Sequence, residues 1–331
     1  MVRIGYTMMG EQRSPTDLVA DVVRAEQAGF EFAVISDHFH PWVPAQGQSP
    51  FVWSVLGGIA RETSHLRVGT GVTCPLIRIH PAIVAQAAAT TAAMFGDRFF
   101  LGVGTGERLN EHVFGDRWPA AGERRAMLEE AVGLMRHLWR GGTRSFDGRF
   151  YRVEQARLYT LPETPPPVYL AAVGSRAAEL AGRVGDGLIS NKASADTVRG
   201  FEAAGGADKP RLGQLKVCWA RTEEEAREVA MRIWPTSALP SVLITELATP
   251  KQFEDASAAA TPEVLERAIV LGPDPERHLG AIREFARAGF NHVFVLQVGP
   301  EVDGFMRFSE REVMPRLEGV AGGAGAASGR S

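Results

Sequence analysis

The stretch FFLGVGTGERLNEH, at residues 99–112, carries the two features that decide the fold class. It begins with an apolar run, residues 99–104, in which hydrophobic residues do not alternate with polar ones. A continuous apolar run is typical of a strand in a parallel sheet, because helices cover both faces of such a sheet. Glycines and then the polar residues Glu107 and Asn110 follow the run. They predict chemistry at the end of the strand, where barrel proteins build their sites.

Seven further apolar runs lie along the chain, with helical patterns between them. The eight strand-like runs are residues 2–8, 32–36, 66–72, 99–104, 168–173, 187–190, 216–220 and 291–297. The helical stretches are residues 15–28, 52–63, 81–94, 122–139, 175–184, 223–233 and 275–288. Such alternation predicts an α/β protein, and eight units favour a TIM (β/α)8 barrel. An open, doubly wound parallel sheet is the alternative.

Two segments exceed what a barrel needs. Residues 143–167 contain alternating aromatic residues and a turn at Asp147-Gly148, which predict a hairpin with a proline-rich exit. Residues 234–268 form a long, partly helical insertion, which we expect to cover the active-site face. We therefore predict one domain over residues 1–318, followed by a flexible glycine-, alanine- and serine-rich tail at residues 319–331.

Composition excludes several classes of protein. The 331 residues are 45% hydrophobic with a formal charge of −3, so neither a disordered chain nor a nucleic-acid-binding protein is indicated. No apolar run is long enough to cross a bilayer, and the first residues lack the pattern of a signal peptide. The two cysteines, Cys74 and Cys218, support neither a disulfide framework nor a thiolate metal site. We expect a soluble cytoplasmic protein without a membrane partner.

The ends of the second and fourth strands carry the strongest candidates for catalysis. VISDHFHPW places Asp37, His38, His40 and Trp42 just beyond an apolar run. Histidine titrates near neutral pH, so this group could bind a polar ligand and move a proton. The competing interpretation is a loop that only caps the strand, and a metal site is disfavoured because no further ligand motif accompanies it. Glu107 fits either a catalytic acid or a charge at a helix N-terminus.

Two other strand ends fit the binding of a flat or phosphorylated ligand. Val173, Gly174 and Ser175 precede a helix whose first-turn N–H groups could hold a phosphate, although Ser175 could equally cap that helix. At the end of the third strand, Gly71 and Val72 would let a flat ring lie close to the backbone.

Taken together, these motifs resemble the luciferase-like, deazaflavin-dependent oxidoreductases. The motifs that carry the resemblance are SDHFHPW (36–42), GTGV (69–72), FLGVGTGERLNE (100–111), AVGLMRHLW (131–139), FDGRFYR (146–152), PVYLAA (167–172) and AGRVGDG (181–187). Within that family the chain is most similar to the dehydrogenases that act on glucose 6-phosphate. The resemblance implies a luciferase-like TIM barrel, a homodimer, and coenzyme F420 bound at the C-terminal ends of the strands.

The resemblance also assigns roles to individual residues. His38 corresponds to the base that takes the hydroxyl proton of the substrate, Trp42 to the residue that stabilises the transition state, and Glu107 to the acid that serves the deazaflavin ring. Gly71–Val72 corresponds to a non-proline cis peptide. The positions that match cofactor contacts are Asp37, Gly71, Val72, Thr105, Gly106, Asn110, Ala172, Val173, Gly174 and Ser175.

The substrate positions depart from the family pattern. Lys192 and Arg277 match two cations that hold a sugar phosphate, whereas Asp255 stands where a second lysine is expected, with Lys251 four residues earlier. An aspartate facing a phosphate would repel it, so a different sugar phosphate, a free sugar or another alcohol is left open.

The leading hypothesis is therefore an F420-dependent dehydrogenase of a sugar or sugar phosphate. The alternatives are a secondary-alcohol dehydrogenase, a reductase that uses the reduced deazaflavin, an FMN-dependent luciferase-like monooxygenase and a non-catalytic cofactor-binding protein.

Overall fold

Eight parallel strands close into a barrel in the computed structural model, which describes residues 2–319. The strands are β1 (Arg3–Met8), β2 (Phe32–Ile35), β3 (Arg67–Thr70), β4 (Phe99–Val103), β5 (Arg144–Asp147), β6 (Arg152–Ala156), β7 (Val168–Ala171), β8 (Gly187–Ser190), β9 (Arg211–Cys218), β10 (Val270–Leu271) and β11 (His292–Gln297). The barrel order is β1-β2-β3-β4-β7-β8-β9-β11, and β11 pairs with β1 to close it. The predicted TIM barrel is confirmed, and the open sheet is excluded.

Helices connect the strands on the outside of the barrel. They are α1 (Pro15–Gln27), α2 (Val52–Glu62), α3 (Pro81–Phe95), α4 (Arg108–Glu111), α5 (Ala121–Trp139), α6 (Ser175–Val184), α7 (Ala195–Phe201), α8 (Glu223–Ile233), α9 (Ser241–Glu246), α10 (Pro250–Ser257), α11 (Pro262–Leu265), α12 (Pro275–Arg287) and α13 (Val302–Phe308). The local sequence explains their bounds. Ser14 and Asp274 cap the helices α1 and α12, and a proline occupies the first turn of each. Gly29, at φ 89°, follows the end of α1 because a left-handed residue is needed there.

Apolar side chains fill the lower half of the barrel. Phe32, Phe100, Tyr169, Leu212 and Phe294 belong to one buried interior cluster, on which Val72 packs. Glycines make room for these rings, since a Cβ at Gly69 would lie 2.2 Å from the ring of Phe100. The centre of the barrel is therefore closely packed, and open space is restricted to its two ends. The residues that follow the C-terminal ends of the strands rest on this packed apolar layer, the floor of the site.

The two insertions adopt different structures. β5 and β6 pair as an antiparallel hairpin, as predicted for residues 143–167. The segment after α8 folds into a short 3₁₀ turn, Pro235–Ala238, and the helices α9, α10 and α11. Helix α9 contacts α4, and α10 contacts the turn Pro44–Gln46, so this insertion lies against the loops that follow β2 and β4.

Several elements differ from the sequence prediction. Helices α7 and α13 were missed because they are only seven residues long and contain glycine. Strand β9 begins five residues before the predicted run at 216–220, because the polar residues Arg211 and Gln214 interrupt its hydrophobic pattern. The predicted tail at 319–331 lies, apart from Gly319, outside the described residues. None of the helices within residues 2–319 is both long and apolar enough to cross a bilayer.

The close approach of β3 and β4 supplies a test of the packing. A Cβ on Gly102 would lie 2.0 Å from the backbone oxygen of Thr70, which cannot move without disturbing the barrel wall. We expect Gly102→Ala to lower the free energy of unfolding by about 1–3 kcal/mol in urea titrations. Gly133→Ala is the matched control: this helix position in α5 has no atom near the added Cβ, so stability should rise by about 0.5–1 kcal/mol. Equal effects of the two changes would contradict the packing described here.

Candidate active site

His38 lies just beyond β2 with its ring held from one side. Its Nδ1 atom is 3.3 Å from the backbone oxygen of His40 and 3.4 Å from Oε1 of Glu11, and its side chain is largely buried. Both neighbours of Nδ1 are acceptors, so the neutral ring carries its proton on Nδ1 and presents Nε2 as a proton acceptor. The ring therefore has the tautomer that a general base requires.

Glu11 is a candidate site residue that the sequence prediction missed. It follows β1, is 2% exposed, and accepts a hydrogen bond of 2.8 Å from the hydroxyl of Ser36. Within residues 2–319, His38 is the only cationic partner that approaches its carboxylate within 4.0 Å. No adjacent motif marks Glu11 in the sequence; its position after the first strand was the only available signal.

Trp42 stands beside His38 and is fixed by the insertion. Its ring centroid is 5.0 Å from that of His38, and it meets the ring of Phe253 in α10 edge-on at 5.2 Å. The backbone N–H of Trp42 donates to the side chain of Gln46, which in turn donates to the backbone oxygen of Ile233. The indole is therefore positioned by both the β2 loop and the segment that follows α8.

A buried ion network joins three strand-end loops. Asp37 accepts hydrogen bonds of 2.8 Å from Arg78 and 2.8 Å from the Thr73 hydroxyl. Arg78 also lies 3.7 Å from the carboxylate of Glu111. Burial opposes the charge of Arg78, but Asp37 and Glu111 raise its pKa, whereas burial raises the pKa of the Glu111 carboxyl. Both oxygens of Asp37 are engaged within the protein, so its side chain supports the site.

Asn110 connects the β4 end to the histidine loop. Its side-chain oxygen accepts hydrogen bonds from the backbone N–H groups of Phe39, at 2.9 Å, and His40, at 3.2 Å. Because Asn110 is buried in α4, these bonds fix the backbone between His38 and His40 and at His40 itself. Its amide N–H₂ group has no bond within residues 2–319 and is available to a ligand.

Glu107 lies at the start of α4, at the C-terminal end of the barrel strands, which we call the mouth of the barrel. It is half-buried and occupies the N-cap position, but its side chain does not cap the helix. Burial raises the pKa of the neighbouring Cys74 thiol, and the charges of Glu111 and then Glu107 raise it further. Thr105 and Gly106 precede it, and Gly106 has φ 72° because the chain turns sharply into α4.

The candidate cofactor residues of the third and fifth barrel strands lie at the same end of the barrel. The peptide bond between Gly71 and Val72 is cis, as the resemblance implied. Beyond β7, Ala172 is buried, whereas Val173, Gly174 and Ser175 are exposed. Gly174 is the N-cap of α6 and Ser175 is its first residue, so Ser175 does not cap the helix and the capping interpretation is wrong. The first-turn N–H groups therefore face outward without a side-chain partner.

The two predicted substrate-binding cations, Lys192 and Arg277, have different partners in the structure. Lys192 is exposed, and its Nζ lies 3.3 Å from the hydroxyl of Ser241 in α9. Arg277 instead forms an ion pair of 3.0 Å with Glu223, where α12 and α8 begin. A carboxylate is thus already its counter-ion.

Asp255 does not face the active-site tryptophan. It is exposed and forms an ion pair with Lys251 within α10. Phe253, two residues earlier, is the residue of that helix that packs on Trp42, so Asp255 points away from it. No cluster of three or more histidine, cysteine, aspartate or glutamate side chains suited to a metal occurs within residues 2–319.

A barrel with a histidine, a tryptophan and a glutamate at its strand ends defines an enzyme-type site, and sequence comparison identifies the family. The family model "luciferase-like monooxygenase" matches residues 2–292. The chain belongs to this luciferase-like family.

Several relatives match nearly the whole chain. An F420-dependent glucose-6-phosphate dehydrogenase from Segniliparus rotundus is 36% identical, over 96% of this chain and 99% of that protein. The enzyme of the same name from Mycolicibacterium gilvum is 34% identical, over 96% and 98%. Among solved structures, an F420-dependent secondary alcohol dehydrogenase in complex with an F420–acetone adduct has a TM-score of 0.88 and 30% identity, over 94% of this chain and 98% of that one.

The bonds of Asn110 generate a stability prediction. Asn110→Ala leaves the N–H groups of Phe39 and His40 without their acceptor, so we expect the free energy of unfolding to fall by about 1–3 kcal/mol. Chemical denaturation measures the change. Asn191→Ala, at an exposed position beyond β8, should alter stability by less than about 0.5 kcal/mol. An Asn110 variant as stable as the Asn191 variant would show that these bonds do not support the loop.

Proposed function

We propose that the protein is an F420-dependent dehydrogenase that oxidises an alcohol carbon of a sugar or sugar phosphate. The observation that carries the proposal is the His38 ring, held through Nδ1 by Glu11 beside Trp42, with Nε2 as its proton acceptor. Relatives named F420-dependent glucose-6-phosphate dehydrogenase support the cofactor and the substrate class. Both free cysteines are buried thiols, which agrees with action in the reducing cytoplasm.

The residues present fit a phosphorylated, flat cofactor. The N-terminus of α6 has no side-chain cap, and a Cβ on Gly174 would meet no atom within 4 Å, so a phosphate can approach the first-turn N–H groups. Ala172, Val173 and Ser175 border that approach. We assign the flat ring to the space bordered by Gly71, Val72, Thr105, Gly106 and Asn110, with Asp37 supporting it from behind. When bound, the deazaflavin supplies a ring carbon that accepts hydride.

His38 is assigned the role of general base. Loss of hydride from a carbinol is easier as its hydroxyl proton leaves, and Nε2 is the atom that takes this proton. Glu11 and the His40 carbonyl accept the Nδ1 proton, which keeps the ring oriented and stabilises the imidazolium that forms. Trp42, whose ring lies 5.0 Å from that of His38, would stabilise the transition state, and Glu107 would donate a proton or hydrogen bond to the deazaflavin when it is bound.

Lys192 is assigned to binding of the substrate. The ion pair of Arg277 with Glu223 argues against the same role for Arg277.

The second candidate function is a secondary-alcohol dehydrogenase, which the likeness to the enzyme with the F420–acetone adduct favours. The two functions share His38, Trp42 and Glu107, and differ in whether the substrate carries an anionic group. A reductase running the same chemistry in reverse uses His38 as the acid. FMN binding by the purified protein would instead indicate a monooxygenase.

The test of the function is reduction of oxidised F420, followed by its absorbance, with glucose 6-phosphate, glucose and isopropanol offered separately. We expect one of these alcohols to reduce the cofactor and His38→Ala to lower kcat by about 10²–10⁴-fold, because the base is lost. His65→Ala is the matched control, since His65 is exposed in the turn that precedes β3 and should leave kcat within twofold. Full turnover by the His38 variant would refute its role, and absence of turnover with bound F420 would point to a reductase.

We also propose that the protein forms a homodimer through α3. This helix contains no charged residue in its 15 positions, yet Ile83, Ala93 and Met94 are exposed on it. The exposed side of α3 therefore carries apolar residues beside the uncharged polar residues Gln86 and Thr90, and exposed apolar surface of this kind is often covered by a partner. The adjoining helix α2 presents the partly exposed Trp53 and Gly57 beside it, which extends the apolar surface.

Light scattering after gel filtration tests the dimer. We expect a mass of twice 35.8 kDa for the wild type and a single chain mass for Ala93→Arg, which places a charge in the apolar face. Ala258→Arg, at an exposed position after α10, should remain dimeric. A monomeric wild type, or an Ala93 variant that stays dimeric, would contradict the proposed interface.

A further inference from the structure

Lys216 is a lysine on the inner face of the barrel that the proposed mechanism does not use. It lies four residues beyond Leu212 on β9, and Leu212 belongs to the interior apolar cluster. Because side chains alternate along a strand, Lys216 points to the same interior. In the strand register it pairs with Leu296 on β11. It therefore lies just above the apolar floor, on the side of the mouth.

Few polar groups surround the ammonium of Lys216. Its Nζ donates one hydrogen bond of 3.2 Å, to the hydroxyl of Ser237 in the Pro235–Ala238 turn. Burial, and to a lesser extent the charge of Lys192, lower the pKa of Lys216 to about 8. Lys192 is the only charged side chain in the described part of the chain with a resolved effect on it.

Lys192 and Lys216 bind the same short segment of the insertion, at serines four residues apart, and neither has a counter-ion of its own. Neither Lys192 nor Lys216 has a carboxylate within 4.0 Å among residues 2–319. Instead, each ammonium donates to a serine of the insertion, Ser241 and Ser237 respectively. Partial burial of one cation near a second cation is unfavourable unless an anion compensates both charges. Each ammonium has three donors and uses one of them in this structure, so donors remain for a bound oxyanion.

The lysine pair adjoins the reaction centre through the insertion. Ser237 donates its backbone N–H to the carbonyl of Trp234, which packs in the same cluster as Trp42. The side chain of Gln46 binds the backbone oxygen of Ile233 and the backbone N–H of Trp42. A ligand group held at Ser237 therefore lies against the same segment that positions the tryptophan. The side chain of Lys216 is only partly covered, so a ligand can reach it from the mouth.

We propose that Lys216 is a specificity-determining residue that, with Lys192, Ser237 and Ser241, binds an anionic group of the substrate, a phosphate monoester or a similar oxyanion. The inference rests on the proposed function, because it assigns a substrate class to that site. The resemblance implies a second substrate-binding cation on α10, at the position of Asp255. The proposal instead assigns this cation to the barrel strand β9. The exposed Asp255–Lys251 pair then has no part in recognition.

The experiment measures binding of inorganic phosphate to the full chain by calorimetry, without cofactor or turnover. We expect Lys216→Met to weaken phosphate at least about tenfold at pH 8, since one charge-assisted contact is lost. Lys251→Met, which removes an exposed lysine already paired with Asp255, is the matched control and should bind phosphate as the wild type does.

The pH dependence of phosphate affinity shows whether Lys216 itself binds the anion or whether the positive charge of the whole region attracts it. Phosphate stays a dianion between about pH 8.5 and 9.5, whereas Lys216 loses its proton above about 8, so wild-type affinity should fall by roughly tenfold over that unit. Lys192→Met removes the neighbouring charge, so the pH at which affinity falls should move upward. Lys216→Met should show no such fall.

Three results would each overturn the inference. The first is an unchanged phosphate affinity in the Lys216 variant, and the second is a pH profile of phosphate binding that Lys192→Met does not shift. The third is competition between phosphate and F420 together with weaker F420 binding by the Lys216 variant. The last result would assign the lysines to the phosphate of the cofactor. Circular dichroism and urea titration show whether the Lys216 variant folds, and Lys192→Met, at an exposed position, provides the same test if it does not. Failure of F420 reduction would refute the proposed function alone, because phosphate binding is measured without it.

Discussion

The ion pair between Arg78 and Asp37 is the constraint on which the site depends. It joins the loop after β3 to the loop after β2, and Glu111 connects the same guanidinium to the segment after β4. All three side chains are almost completely buried, so the partners of Asp37 and Arg78 are groups of the protein and not water, and Glu111 also accepts hydrogen bonds from the backbone N–H groups of Ile77 and Arg78. Removing one member of such a network leaves a buried charge without a partner, which costs about 3–5 kcal/mol. The loops therefore keep one relative arrangement, and His38, next to Asp37 in the chain, is fixed with them.

Along a barrel strand, the residues of the interior layer pack against one another, and the polar residues of the candidate site lie at or beyond the C-terminal end. On β9, Leu212 packs in the interior floor and Lys216 faces the mouth, with Gln214 between them on the same face. On β4, Phe100 fills the floor and Glu107 follows the end of the strand. The apolar layer keeps water out from below, so charges near the mouth act in a medium of low effective dielectric constant.

Sequence patterns predicted the barrel well because its strands are buried on both faces. The runs at 32–36 and 187–190 contain no charged residue and match β2 and β8 almost to the residue. The start of β9 was predicted five residues too late for the opposite reason, since the polar residues Arg211 and Gln214 interrupt its hydrophobic pattern. Strand ends also identified His38, Trp42 and Glu107. Glu11 and Arg78 escaped because their roles arise from contacts with residues 27 and 41 positions away, and only folding brings those together.

The two carboxylates near His38 have different tasks, and their partners explain why. Asp37 bonds an arginine and a threonine, so its charge is already neutralised within the protein. Glu11 accepts one hydroxyl, from Ser36, and otherwise faces Nδ1 of His38. Its charge is therefore available to an imidazolium, and opposite charges about 4 Å apart attract by about 4 kcal/mol at an effective dielectric constant near 20. Asp37 is adjacent to His38 in the sequence, but Glu11 is the carboxylate that can stabilise the histidine after it takes a proton.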